Sequence, residues 1–102
     1  MSISGTETGY AAACKVIVSD DALVVDLTDG RTIAAPLAWS PRLAHGTAQE
    51  RAHWRLIAGG VGIHWPELDE DISVESLLGG RRSGETQESL RRWLDARRGS
   101  LP

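Results

Sequence analysis

The sequence lacks features that several common classes of protein require. Cys14 is its single cysteine, which excludes an internal disulfide and a zinc site built from several cysteines. No stretch approaches the roughly 20 apolar residues of a membrane-spanning helix, and we recognise no signal peptide, so we expect a cytoplasmic location. Cys14 lies in an apolar run without a neighbouring base, so we expect a small buried residue rather than a reactive thiol.

Motifs for nucleotide binding and serine catalysis are also missing. The glycines of the Gly59-Gly60-Val61-Gly62 run do not follow the Gly-x-Gly-x-x-Gly spacing, and no Gly-Lys-Ser/Thr ending is present. No Gly-x-Ser-x-Gly elbow occurs either. The sequence therefore predicts neither a cofactor nor an enzyme, and the glycine run indicates a bulge or a close approach of two backbone segments.

What remains is a short chain of globular composition with an uneven charge distribution. Its 102 residues suit one domain, with 41% hydrophobic and 25% charged residues. Four tryptophans, one tyrosine and no phenylalanine indicate large side chains at core edges and interfaces. The net charge of −3 divides into −6 over residues 1–80 and +3 over residues 81–102. Such asymmetry suggests a partner-binding segment.

The spacing of apolar residues predicts an α+β fold that begins with a three-stranded antiparallel meander. Apolar residues alternate over 14–18, 23–27 and 31–37, which is the period of half-buried strands. Asp29-Gly30 predicts a type I′ hairpin turn between the second and third strands. We expect residues 1–12 to form a flexible N-terminus, 13–80 a single α+β domain, and 81–102 a linker with a C-terminal helix.

Short helices, a further extended segment and an amphipathic C-terminal helix follow the meander. Ser40-Pro41 predicts a helix start, and Thr47 with Glu50 forms a capping-box pattern for a helix up to about residue 54. An extended segment through 61–65 should place Trp65 and His64 on opposite faces, and Ser73 should cap a helix that ends before Gly79. Residues 86–98 predict the longest helix, which carries Leu90, Trp93 and Leu94 on one face.

Three segments resemble a known family. Residues 37–43 (LAWSPRL), 50–57 (ERAHWRLI) and 62–74 (GIHWPELDEDISV) resemble the small bacterial proteins called domain of unknown function 2442 (DUF2442), over roughly residues 14–80. The resemblance implies a prokaryotic α+β domain with no established activity or catalytic residues, encoded beside another small protein. Some relatives carry an added helix-turn-helix, which we do not find here, so no DNA-binding role is assigned to the arginine-rich end.

The run after His64 is the candidate for metal-assisted chemistry. One imidazole and several carboxylates, with His64, Glu67, Asp69 and Asp71 as the candidate ligands, could hold a cation that prefers oxygen. Their spacing matches no established metal loop. We therefore predict no metal site, and interpret Glu67, Asp69 and Glu70 as solvated loop acids, with Asp71 helping to cap the helix near Ser73.

The C-terminal helix is the candidate for partner binding. Its contact residues are predicted to be Leu90, Arg91, Arg92, Trp93 and Leu94, and the partner another small protein or a second copy of the chain. The sequence thus predicts a non-enzymatic protein-interaction or regulatory module, as the accessory or antitoxin-like member of a two-protein pair. The alternatives are a metal-dependent hydrolase using the His64 run, and nucleic-acid binding through the arginines of 81–98, which the acidic net charge disfavours.

Overall fold

The computed structural model describes residues 11–99, which form two three-stranded antiparallel sheets, short helices and one longer C-terminal helix. The α+β prediction is confirmed. Residues 1–10 of the predicted flexible N-terminus lie outside the described residues. The elements are β1 (Ala13–Val18), β2 (Ala22–Leu27), β3 (Thr32–Pro36), α1 (Pro41–His45), α2 (Ala48–Ala52), β4 (Arg55–Ile57), β5 (Gly62–Trp65), β6 (Glu70–Ser73), α3 (Val74–Leu78) and α4 (Gln87–Gly99). Two 3₁₀ turns, Leu37–Trp39 and Ala58–Gly60, complete them.

The first sheet is the predicted meander, in the order β1-β2-β3. Its turn between β2 and β3 differs from the prediction, because Gly30 has a φ of +93° whereas Asp29 does not take a positive φ. The Asp29 carboxylate accepts the Arg31 backbone N–H at 3.0 Å and Arg31 Nε at 2.8 Å. These bonds hold Asp29 in the turn without left-handed backbone, and the hydrogen bond from the Arg31 N–H is the main reason that the pKa of Asp29 is lowered.

Cys14 is exposed, which corrects the expectation of a buried residue. The register of β1 against β2 shifts between Ala13 and Lys15, so the inward positions of β1 are Ala13 and Val16. The Cys14 thiol donates to the Asp26 carbonyl at 3.3 Å at this irregularity. A bulge thus moves the side-chain alternation out of the phase that the sequence suggests.

The second sheet has the order β4-β5-β6 and contains a strand that the sequence analysis missed. Glu70, expected in a loop, and Asp71, expected to help cap a helix, both lie in β6, where Asp71 pairs in register with His64 and Glu70 with Trp65. Asp71 does not cap α3. Ser73 does, since its hydroxyl accepts the Ser76 N–H at 3.0 Å.

Side-chain caps are confirmed at α2 and α3, whereas α1 begins at Pro41 as predicted but without a side-chain cap from Ser40. The Thr47 hydroxyl accepts the Glu50 N–H at 3.1 Å, and Glu50 Oε1 accepts the Thr47 N–H at 2.9 Å, which completes the capping box of α2. The helix ends at Ala52, two residues before the predicted end. Its Arg51 side chain donates to the carbonyls of Leu43 and Ala44, both at 2.8 Å. These two carbonyls lie in the last turn of α1, where they lack partners within the helix.

The core lies between the two sheets and α1. Trp65 is fully buried and His64 only partly, so the two side chains lie on opposite faces as predicted. Trp65 Nε1 donates to the Arg51 carbonyl at 3.0 Å. Gly60 is the predicted close approach: a Cβ at this position would lie 2.6 Å from the Ala13 carbonyl oxygen. The beginning of β1 therefore packs directly on the backbone before β5.

Candidate functional site

The four candidate metal ligands do not converge. His64 pairs with Asp71 across β5 and β6, whereas Glu67 Oε1 lies 2.8 Å from Nδ1 of His53. Asp69 is highly exposed, and its carbonyl accepts Arg42 Nη1 at 3.0 Å. Within residues 11–99, no three His, Cys, Asp or Glu side chains form a group that could hold a metal ion.

The C-terminal helix is attached to the domain by a covered ion pair at its beginning. Arg42, on α1, donates through Nε to Glu85 Oε1 at 2.6 Å and through Nη2 to Glu85 Oε2 at 3.0 Å. Both side chains are largely shielded from solvent, at 16% and 8% exposure. The Ser89 hydroxyl adds a bond of 2.5 Å to the same carboxylate, so Glu85 links α1 with the first turn of α4.

A second ion pair and a tryptophan hold the rest of the helix. Arg97 donates from Nη2 to Glu50 Oε1 at 2.9 Å and from Nη1 to Oε2 at 3.2 Å. The Trp93 ring lies between two guanidinium groups, with Arg42 at 5.1 Å and Arg97 at 4.7 Å from its centroid. No local pattern predicts that Arg42 and Glu50 bind α4, since the sequence marks Glu50 only as part of the Thr47 capping box and Arg42 only as a charged residue.

The predicted partner-contact residues take two different positions on α4. Trp93 packs partly buried against the core, and Leu90 and Leu94 are half-buried beside it. Arg91 and Arg92 face solvent, and Arg92 pairs with Glu88 of the same helix at 3.4 Å. None of residues 87–98 is buried, so the domain covers the apolar face of α4 only in part.

A cavity of about 340 Å³ is lined by residues of the first sheet, β6, α3 and the segment 81–84. Apolar side chains of the first sheet, the 3₁₀ turn after it, α1 and α3 line the cavity, including Leu23, Leu37, Leu43 and Leu77. Residues 81–84 run along its edge, where the Ser83 N–H donates to the Trp39 carbonyl at 2.9 Å. This volume falls in the range of small-molecule sites.

Glu70 is the more buried of the two acidic residues, Glu70 and Asp71, that line the cavity. Its Oε2 accepts the hydroxyl of the buried Ser40 at 2.6 Å, and its Oε1 accepts the Asp71 N–H at 3.2 Å. Burial raises the pKa of Glu70, and the Ser40 hydrogen bond only partly offsets this effect. The alternation of β6 could have placed Glu70 inward, on the side of Trp65, had that strand been recognised.

These features define the class of the protein: a small α+β domain with two antiparallel sheets, a side-chain-tethered terminal helix and one described cavity lined by a partly buried acid. The chain belongs to the family described as "protein of unknown function (DUF2442)", whose model matches residues 13–83. The suspected resemblance is therefore confirmed. No protein with a curated description matches the chain.

Two solved structures share the fold. One is the crystal structure of a protein of unknown function from Rhodospirillum rubrum, which is 27% identical in sequence and superposes with a TM-score of 0.65. The match covers 78% of this chain and 96% of the Rhodospirillum rubrum chain. The other is the solution NMR structure of an uncharacterized protein from Chromobacterium violaceum, which is 18% identical in sequence and superposes with a TM-score of 0.66. The match covers 95% of this chain and 85% of the Chromobacterium violaceum chain. The second likeness shows the fold alone.

None of the helices within residues 11–99 combines the length and apolar character needed to cross a membrane.

Proposed function

We propose that this chain is a non-enzymatic protein-interaction or regulatory module that uses α4 to bind a second small protein. In this proposal it is the accessory or antitoxin-like member of the pair. The observation that carries the proposal is the incomplete cover of α4: Leu90, Trp93 and Leu94 share one face, yet none of them is buried. A partner that covers Leu90 and Leu94 would gain the apolar contact that the domain leaves open.

Charge supports a partner with an acidic surface. Arg91, Arg92 and Arg98 are exposed on α4, whereas residues 1–80 carry a net charge of −6. Guanidinium groups bind carboxylates through two parallel hydrogen bonds, which favours recognition of aspartate and glutamate. In this arrangement Trp93 stays in contact with Arg42 and Arg97 of the chain itself, and Leu90 and Leu94 contact the partner.

The position of α4 relative to the family domain also supports a separate binding role. The family model ends at residue 83, four residues before α4 begins at Gln87. The helix is joined to the domain through the Arg42–Glu85 and Arg97–Glu50 pairs and Trp93. A helix held by side chains at the rim of a domain can contact a partner without disturbing the sheets.

Affinity capture of the tagged full chain from its native host, with mass spectrometry, tests the proposal. The matched variants are Arg91→Glu on α4 and Arg55→Glu on β4, because both arginines are exposed and both substitutions make the same charge change. We expect one small protein to be retained in stoichiometric amount by the parent chain and by Arg55→Glu, and lost with Arg91→Glu. Retention by both variants, or by none of the three proteins, contradicts the proposal.

Self-association is distinguished by sedimentation velocity of the purified chain alone. A dimer that Arg91→Glu dissociates would make a second copy the occupant of α4. The two remaining functions receive less support. A metal-dependent hydrolase would need the separated side chains of the His64 run to converge, and a nucleic-acid site on α4 would compete with the Glu50 carboxylate for Arg97.

A further inference from the structure

The cavity described above is lined by residues other than the partner-contact residues of α4. It lies between the first sheet, β6 and α3, and residues 81–84 form its outer edge. Its apolar walls contain buried leucines of three elements or turns, Leu23, Leu37 and Leu43. The apolar part of a ligand could therefore be buried against these leucines without depriving a polar group of its hydrogen bond.

The inner wall offers an acceptor for a positively charged donor. Glu70 lies on the face of β6 that also carries buried neighbours, since its register partner is the fully buried Trp65. Ser40 and the Asp71 N–H supply one hydrogen bond to each carboxylate oxygen. A carboxylate oxygen can accept more than one hydrogen bond, so Glu70 retains capacity for an ammonium group.

The outer edge offers donors for an anion. Arg81 lies 3.9 Å from Glu75, a long contact, and its side chain is 62% exposed. The Arg82 guanidinium lies 5.5 Å from the centroid of the Trp39 ring, which holds it beside the opening. Two guanidinium groups at one opening match a carboxylate, which each of them can bind through paired hydrogen bonds.

We propose that this cavity binds a small zwitterionic molecule with an apolar body, whose ammonium group pairs with Glu70 and whose carboxylate pairs with Arg81 and Arg82. The residues that line the cavity include an acid, apolar side chains and two arginines, so one molecule can contact all three. A molecule with a single charge would leave one end of the cavity without its counter-charge.

Isothermal titration of the purified full chain tests the proposal with four probes. The zwitterions are ω-aminohexanoate and ω-aminooctanoate, and the single-charge references are hexylamine and hexanoate. We expect at least one zwitterion to bind about tenfold or more tightly than either reference, because each added charged contact contributes a factor of this order. Equal affinities of all four probes, or no binding below about 10 mM, which corresponds to less than about 3 kcal/mol, overturn the proposal.

Variants assign the two ends of the ligand. Glu70→Gln should weaken the affinity for the zwitterion and for hexylamine about tenfold and leave the affinity for hexanoate unchanged. The double variant Arg81→Gln with Arg82→Gln should weaken the affinity for the zwitterion and for hexanoate and leave that for hexylamine unchanged. Glu67→Gln is the matched control, since Glu67 lies outside the cavity wall. Methyl NMR of the parent chain is independent of any folding defect: shifts must appear at Leu43 and Leu77, and their absence with a bound zwitterion contradicts the site.

Discussion

Arg42 of α1 and Glu85, 43 residues later and immediately before α4, form a bidentate ion pair. The hydrogen bonds from Arg42 hold the pKa of Glu85 below its usual range, and the same contact raises the pKa of Arg42. Because Arg42 also lies against the Trp93 ring, one side chain fixes both the beginning and the middle of α4. The attachment of the helix thus depends on a few charged groups.

Glu85→Gln should weaken this attachment and lower the free energy of unfolding by about 2 kcal/mol, because the shielded Arg42 loses its bidentate counter-ion and keeps only the longer contact of 3.6 Å to the exposed Asp69 carboxylate. Urea unfolding measures the change, and hydrogen exchange should show faster exchange in α4. Glu88→Gln is the control, since Glu88 pairs with Arg92 on an exposed surface and should cost less than about 0.5 kcal/mol. Equal costs for the two variants would contradict the role of Arg42 and Glu85.

Acid should release α4 only below the ordinary carboxylate range. The pKa values of Glu50 and Glu85 are lowered chiefly by hydrogen bonds from Arg97 and Arg42. A lowered folded-state pKa means that the stability from each pair is complete above the unfolded value and is lost as pH falls through the folded value. Hydrogen exchange of α4 should stay slow down to about pH 4 and then rise. Release near neutral pH would contradict this account.

Glu70 should show the opposite pH dependence. Burial raises its pKa, so the folded chain binds this proton more readily than the unfolded chain, and stability is lost as pH rises through the folded value. Glu70→Gln should therefore be more stable than the parent chain at about pH 7, and the difference should vanish toward about pH 4. Denaturant unfolding at both pH values, with exposed Glu67→Gln as control, measures it. If the stability difference between Glu70→Gln and the parent chain grows as the pH falls, the prediction is contradicted.

Gly59 and Gly60 offer a paired test of the close approach between the 3₁₀ turn and β1. Both have positive φ, but a Cβ at Gly60 would lie 2.6 Å from the Ala13 carbonyl oxygen, whereas Gly59 has open space. Gly59→Ala should cost about 1 kcal/mol from backbone strain alone, and Gly60→Ala more than about 2 kcal/mol because backbone must move. Thermal unfolding compares them. A cost for Gly59→Ala as large as that for Gly60→Ala would show that strain alone decides.

The parts of the fold that could be predicted from sequence are those with local causes. The alternation of 23–27, the capping box at Thr47 and the Ser73 cap each depend on residues within a few positions of one another. The type of the β2–β3 turn was wrong because the Asp29 side chain competes for the backbone N–H groups around it. Strand β6 was missed because it is acidic and its pairing with β5 crosses a turn that contains Pro66 and Asp69.

The candidate site could be predicted only in outline. The amphipathic face of α4 follows from its sequence, and the choice of Leu90, Arg91, Arg92, Trp93 and Leu94 as partner contacts stays a prediction. The receptors of the helix lie far away in sequence, since Arg97 pairs with Glu50 across 47 positions. The partly buried Glu70 accepts a hydrogen bond from Ser40, 30 positions away. Such contacts depend on the packing of the two sheets, which no local pattern encodes.

The most direct test of the central claim is the affinity of the reconstituted pair, measured by titration of the captured small protein into the purified chain. The account predicts that Arg91→Glu weakens this affinity about tenfold or more, that Arg55→Glu leaves it unchanged, and that added salt weakens the parent complex. An affinity that is the same for the parent chain and Arg91→Glu would contradict the assignment of α4 as the partner-binding element.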